Sequence, residues 1–136
     1  MASAIPRQTE LITAYRKLYR AALSAVRYSK PSRYIVRDEL RYAFRKHPVT
    51  EFDQVKINNT LKFLEASAEF AGMESAILKR LTTVIYWRRF DSRRRENTDL
   101  ARRTEGAKIL RNTAFEHYEM TIAMLNAQMQ MCLPSR

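Results

Sequence analysis

Arg33, Arg37, Arg41 and Arg45 recur every fourth residue in the segment SRYIVRDELRYAFRK, residues 32–46. If that segment is helical, the four guanidinium groups climb one face. Like charges at this spacing repel by roughly 0.2–0.5 kcal/mol per pair, and Asp38 and Glu39 relieve only part of this. An anionic surface laid against the face turns that cost into attraction. Arginine suits the task because its planar fork of donors matches carboxylate and phosphate geometry. Arg16, Arg20 and Arg27 form a second stripe, with Lys17 beside it. One such stripe reads as a solvated face. Two in succession, both dominated by arginine, favour docking of an anionic partner. A third basic group, Arg93, Arg94 and Arg95, is the candidate for RNA contact. Tyr15, Tyr19, Tyr28, Tyr34 and Tyr42 interleave the first two stripes. Their spacing suits core packing at least as well as base stacking.

Other chemistries find no support. His47 and His117 are far apart, and no Cys or carboxylate set completes a metal site around either. Ser24, Ser29 and Ser32 lack a glycine-rich elbow, and no glycine loop could cradle phosphate. Cys132 is the sole cysteine, which excludes an intramolecular disulfide. The residues themselves thus offer no catalytic, metal or cofactor set. Met120, Met124, Met129 and Met131 cluster late in the chain, as helix packing or as an adaptable docking surface.

The elements that must position these residues are legible from composition and punctuation. The chain has 136 residues, 46% of them hydrophobic, with two glycines and four prolines. That supports one modest core built of long helices. The net charge is +11, and residues 1–50 carry eleven Lys/Arg against three Asp/Glu. The positive field thus arises mainly from the first third and attracts nucleic acid, anionic lipid or an acidic protein. No run of 18 apolar residues is present, so no transmembrane segment is expected. The start MASAIPR is too short for a secretory signal and a poor mitochondrial presequence; for a mitochondrial protein the import signal would be internal or already removed.

The spacing predicts four helices. The first covers about 8–28, with Leu11, Tyr15, Leu18, Ala22 and Ala25 as its stripe, and breaks at Lys30-Pro31. The second covers 32–46, with Tyr34, Ile35, Leu40, Ala43 and Phe44 facing inward, and stops at His47-Pro48. The third opens with Thr50 as cap and extends through Leu61, Leu64, Ala71, Ile77, Leu81 and Val84 to Trp87, with a bend at Gly72. Residues 88–97 read as a basic connection. The fourth runs from about 98 to 129 on Leu100, Leu110, Tyr118, Ile122, Leu125 and Met129.

Leu18-Tyr19-Arg20 lies within TAYRKLYRAAL on the first helix, and Phe44-Arg45-Lys46 closes the second. This ordered set, followed by a third helix, resembles the LYR family of small mitochondrial helical proteins over residues 8–88. The resemblance implies an all-α fold: a three-helix antiparallel LYR bundle at 1–89, with residues 90–136 as a basic linker and C-terminal helical extension. It implies an adaptor of the mitochondrial matrix that binds mitochondrial acyl carrier protein. The partner's acidic helix docks on the basic faces, and its acylated 4'-phosphopantetheine arm enters a narrow apolar tunnel.

Carried over, the contacts to acyl carrier protein are Arg16, Tyr19, Arg20, Arg37, Arg41, Arg45 and Lys46. The tunnel residues are Leu18, Leu23, Leu40, Phe44, Leu61 and Leu64. Within the family, the runs LYRAAL, RYAFRK and LKFL are most similar to members acting on the mitoribosomal large subunit with a ribosomal silencing factor. Accessory subunits of respiratory complex I, iron–sulfur assembly factors, and a basic RNA-binding module without acyl carrier protein are the alternatives.

Overall fold

The computed structural model describes residues 8–94 and 104–135, and for residues 91–94, 108, 111 and 112 it describes the backbone alone. The described residues are all-helical: α1 is Gln8–Ala25, α2 Ser32–Lys46, α3 Gln54–Glu69, α4 Met73–Arg94, α5 Glu105–Thr113 and α6 Glu116–Met129. A short 3₁₀ turn, Val49–Glu51, links α2 to α3.

α1 buries Ala14, Leu18, Ala22 and Ala25, a stripe at three- and four-residue steps. It ends at Ala25, before the expected Tyr28, because Arg27 and Tyr28 adopt the left-handed conformation, with φ of 52° and 54°. α2 stops where His47 turns to extended backbone ahead of Pro48. Tyr34, expected inside, is exposed, and Val36 is buried with Ile35.

The third helix is not continuous. It breaks at 70–72, where Phe70 is extended, and α4 starts afresh at Met73. The restart shifts the buried face of α4 to Leu78, Leu81, Thr82 and Ile85. Trp87, expected as the end of the third helix, lies within α4 and is 55% exposed. The cap of α3 is Asp53 rather than Thr50: its Oδ1 accepts from the backbone N–H of Val55 at 2.9 Å and of Lys56 at 3.4 Å. Residues 88–94, expected as a connection, continue α4 as helix. The late helix divides at Ala114-Phe115 into α5 and α6, and Leu110 and Met129 face outward instead of inward.

α1 packs on α2 and α3, and α4 packs on the same two helices, so these four close a ring around the core. Leu18, Ile35, Ile57, Leu64, Leu81 and Ile85 lie in that core. Each fully buried large aliphatic side chain contributes about 1.5–3 kcal/mol. Ile122 of α6 belongs to the same core, as do Met131 and Leu133 of the segment after it. That segment turns back at Gln130, which is left-handed with φ 49°, and lies across α3 as a strap. Asn59 Nδ2 donates to the carbonyls of Met129 and Gln130, at 3.4 and 3.2 Å. Thr60 Oγ1 accepts from the Cys132 N–H at 3.1 Å. Asn126 holds both backbone groups of Leu133, donating to its carbonyl at 2.8 Å and accepting from its N–H at 3.0 Å.

Candidate docking face

The outer side of α1 and α2 carries the arginine stripes. Arg16 and Arg20 on α1 are exposed, as are Arg41, Arg45 and Lys46 on α2. Among the described residues, Arg16, Arg20, Arg41 and Arg45 make no hydrogen bond or ion pair. Lys46 Nζ sits 5.0 Å from the centre of the Tyr42 ring. Asp38, Arg41, Tyr42, Arg45 and Lys46 line a shallow, open depression.

The two carboxylates of α2 are paired with arginines other than Arg41 and Arg45. Arg89 of α4 donates from Nη1 to Asp38 at 3.2 Å and from Nη2 to Glu39 at 2.5 Å. Glu39 is 10% exposed, so its negative charge is spent largely on Arg89. Arg37 donates from Nε to Asp38 Oδ1 at 3.1 Å and lies over the Tyr34 ring. Arg33 also covers that ring, and its Nη2 donates to the Tyr34 hydroxyl at 2.6 Å. The upper half of the α2 stripe is therefore engaged within the protein. Its lower half, Arg41 to Lys46, keeps its charge for solvent or a partner.

Beneath the lower half lies an aromatic wedge. Tyr15 stacks on Tyr19, with centroids 6.0 Å apart and planes within 9°. Tyr15 also meets Phe44 edge-on at 5.3 Å. Tyr19 and Phe44, both singled out from the sequence, are thus joined through Tyr15, one helical turn before Tyr19. Such ring pairs contribute about 0.5–1.5 kcal/mol each beyond their buried area, and here they fix the α1–α2 contact under the basic stripe.

The six candidate tunnel residues fall into two groups. Leu18 and Leu64 are core residues, 3% and 5% exposed. Leu23, Leu40, Phe44 and Leu61 are half-buried. Leu61 also lines a second open groove between α1 and α3, with Thr9, Lys17, Gln54 and Ile57. Arg95 lies outside the described residues, and Arg93 and Arg94 are described only as the backbone end of α4.

Among the described residues no group of three His, Cys, Asp or Glu is placed to hold a metal ion. No helix among them is long and apolar enough to cross a membrane. His47 caps α2, with its Nδ1 3.0 Å from Glu51 Oε2, and His117 is exposed. Cys132 Sγ lies 3.2 Å from Thr60 Oγ1. Burial raises its thiol pKa, opposed by the Thr60 hydrogen bond and the charge of Lys56, while Asp53 adds to the rise. Tyr118 is likewise raised by burial, against the lowering charge of Arg88. Arg88 pairs with Glu119 of α6 at 2.9 Å and covers the Phe115 ring at 4.2 Å, which ties α4 to α6.

Two contributors are not among the site residues singled out from the sequence. Tyr15 was signalled by its four-residue offset from Tyr19. Arg89 was signalled only by the adjacent acids Asp38 and Glu39, which needed a partner from outside α2.

A protein of Schizosaccharomyces pombe described as a UPF0593 mitochondrial protein is 33% identical to this chain over 82 residues, 59% of this chain and 66% of that relative. The chain thus spans just under two thirds of the length of the relative it matches. No family model matches the chain. No solved structure matches it.

Proposed function

We propose that this protein is a non-enzymatic adaptor of the LYR type, which binds mitochondrial acyl carrier protein through the outer face of α1 and α2 and serves the mitoribosomal large subunit. The reading rests on one observation. Arg16, Arg20, Arg41 and Arg45 stand exposed and unpaired among the described residues, over a wedge built from Tyr15, Tyr19 and Phe44. The carboxylates that would neutralise α2 are drawn off by Arg89 and Arg37. An acidic helix laid on this face gains orientation and fast, salt-sensitive association.

In this reading Arg41, Arg45 and Lys46 pair with the carrier's carboxylates, while Arg16, Tyr19 and Arg20 border its phosphopantetheine arm. Arg37 shares its charge between Asp38 and the partner. The acylated 4'-phosphopantetheine belongs to the partner and is no cofactor of this chain. Its acyl chain enters past Leu23, Leu40, Phe44 and Leu61, and Leu18 and Leu64 repack to admit it. Each buried CH₂ contributes about 0.8 kcal/mol, enough for a long chain to offset that rearrangement. In this reading α3 and α4 together take the place of the third helix of the LYR arrangement over residues 1–89, and residues 90–136 pack on it or extend from it. The mitochondrial description of the S. pombe relative supports a mitochondrial location, and the matrix follows from the partner.

Native mass spectrometry of the tagged protein, purified gently from mitochondria, tests the reading. A partner carrying acylated phosphopantetheine is expected, with large-subunit proteins and the silencing factor alongside. Co-purification of respiratory complex I subunits instead would move the protein to the respiratory branch. Recovery with RNA and without a carrier would remove the adaptor reading altogether.

A further inference from the structure

α4 carries a second surface that the docking face does not use. Tyr86, Trp87 and Phe90 are 36%, 55% and 44% exposed, and they are the exposed large hydrophobic residues from position 74 to 90. Their rings form one cluster. Trp87 meets Tyr86 at 5.5 Å and Phe90 at 5.8 Å, both edge-on, while Tyr86 and Phe90 lie 6.2 Å apart with planes within 19°. Two turns earlier on the same outward side, Lys79 and Arg80 are exposed. No acidic residue occurs from Ser75 to Phe90. The opposite side of α4 is committed to the core through Leu78, Leu81 and Ile85.

We propose that this strip of α4 binds a single-stranded stretch of RNA, with bases stacking on Tyr86, Trp87 and Phe90 and the backbone phosphates meeting Lys79 and Arg80. Three features favour this occupant. The exposed apolar groups are all aromatic, and a π-face is what an unpaired base seeks. Between Glu74 and Asp91 every charged residue of α4 is basic, as a phosphate backbone favours. The apolar patch is confined to a little over one turn. A helix lying in a membrane interface needs a long aliphatic face instead. A second copy of this chain is disfavoured because it too carries +11. RNA is preferred over DNA because unpaired loops and ends are the usual state in which RNA is read.

Trp87 is the chain's single tryptophan, so its fluorescence reports on this strip directly. The full chain is titrated with a 12-nucleotide unstructured pyrimidine-rich RNA, following Trp87 emission and, with a labelled strand, anisotropy. Stacking is expected to quench Trp87. Trp87→Leu keeps the charge and an apolar surface residue but removes the π-face, and should weaken binding about tenfold. Because that variant retains every arginine, nonspecific attraction to α1 and α2 cancels from the comparison. Lys79→Glu/Arg80→Glu should weaken binding further and flatten its dependence on salt.

Equal affinity of Trp87→Leu and the parent, or binding without quenching, would overturn the proposal. So would a duplex of the same sequence that quenches equally, since its bases are already stacked. A DNA strand that quenches while the RNA does not would also overturn it. A blue shift of Trp87 on vesicles containing anionic lipid, with no response to RNA, would reassign the strip to a membrane surface.

Discussion

Asn126→Ala removes both hydrogen bonds that fasten Leu133, and its effect can be worked from the strap's geometry. Burial of Met131 and Leu133, 4% and 7% exposed, contributes about 1.5–3 kcal/mol each. Ordering the backbone of residues 130–133 costs about 1–2 kcal/mol per residue. These terms nearly cancel, so the hydrogen bonds decide whether the strap stays down. The two from Asn126 contribute about 0.5–1.5 kcal/mol each, and losing both costs about 1–3 kcal/mol. For a chain of this size that lowers Tm by roughly 3–10 °C, measured by far-UV circular dichroism.

Cys132 supplies a local readout. Cys132 is exposed at the surface, yet desolvation among its folded neighbours raises its thiol pKa, so near neutral pH it holds less reactive thiolate than a free cysteine. Releasing the strap returns that pKa toward its ordinary value and speeds reaction with a disulfide reagent. A group whose folded pKa is raised stabilises the fold fully below its unfolded value and loses that contribution as pH rises through the folded value. The strap should therefore loosen as pH rises into the range where the thiol ionises, and Cys132→Ser should remove that dependence. A Tm within 1 °C of the parent, together with an unchanged thiol rate, would refute the reasoning.

Arg41→Glu should weaken docking of acyl carrier protein, most strongly at low salt; equal affinity by calorimetry at moderate salt removes Arg41 from the contact. Phe44→Ala takes one ring from the aromatic wedge and should lower acyl occupancy of the purified complex, read by intact mass. Asp53→Ala should cost about 1 kcal/mol through loss of the α3 cap, whereas Thr50→Ala should change denaturant stability by less than about 0.5 kcal/mol. The reverse order would return the cap to Thr50.

Local punctuation made the first half of the fold legible. Lys30-Pro31 and His47-Pro48 fixed the limits of α2, and the stripe Leu18, Ala22, Ala25 named the face of α1 that is buried. The third helix misled because apolar residues continue at helical steps across Phe70-Ala71-Gly72. Periodicity alone does not register that the helix breaks and restarts at Met73. Arginines 88 and 89 read as a connection because their partners, Glu119, Asp38 and Glu39, are distant in sequence. At the candidate docking face, the stripes Arg16, Arg20, Arg41 and Arg45 followed directly from four-residue spacing. The sequence did not reveal which arginines are spent internally, because that depends on α4 lying against α2.

The strap also sets an order of events. Asn59 and Thr60 meet their partners 70 to 72 residues later in the chain. A polypeptide that emerges N-terminus first presents α1 to α4 before those partners exist. The side of α3 around Thr60 is sealed only by the last residues of the described chain. A chain truncated before residue 130 would therefore leave that part of the core uncovered, open to a chaperone, a carrier or a neighbouring chain.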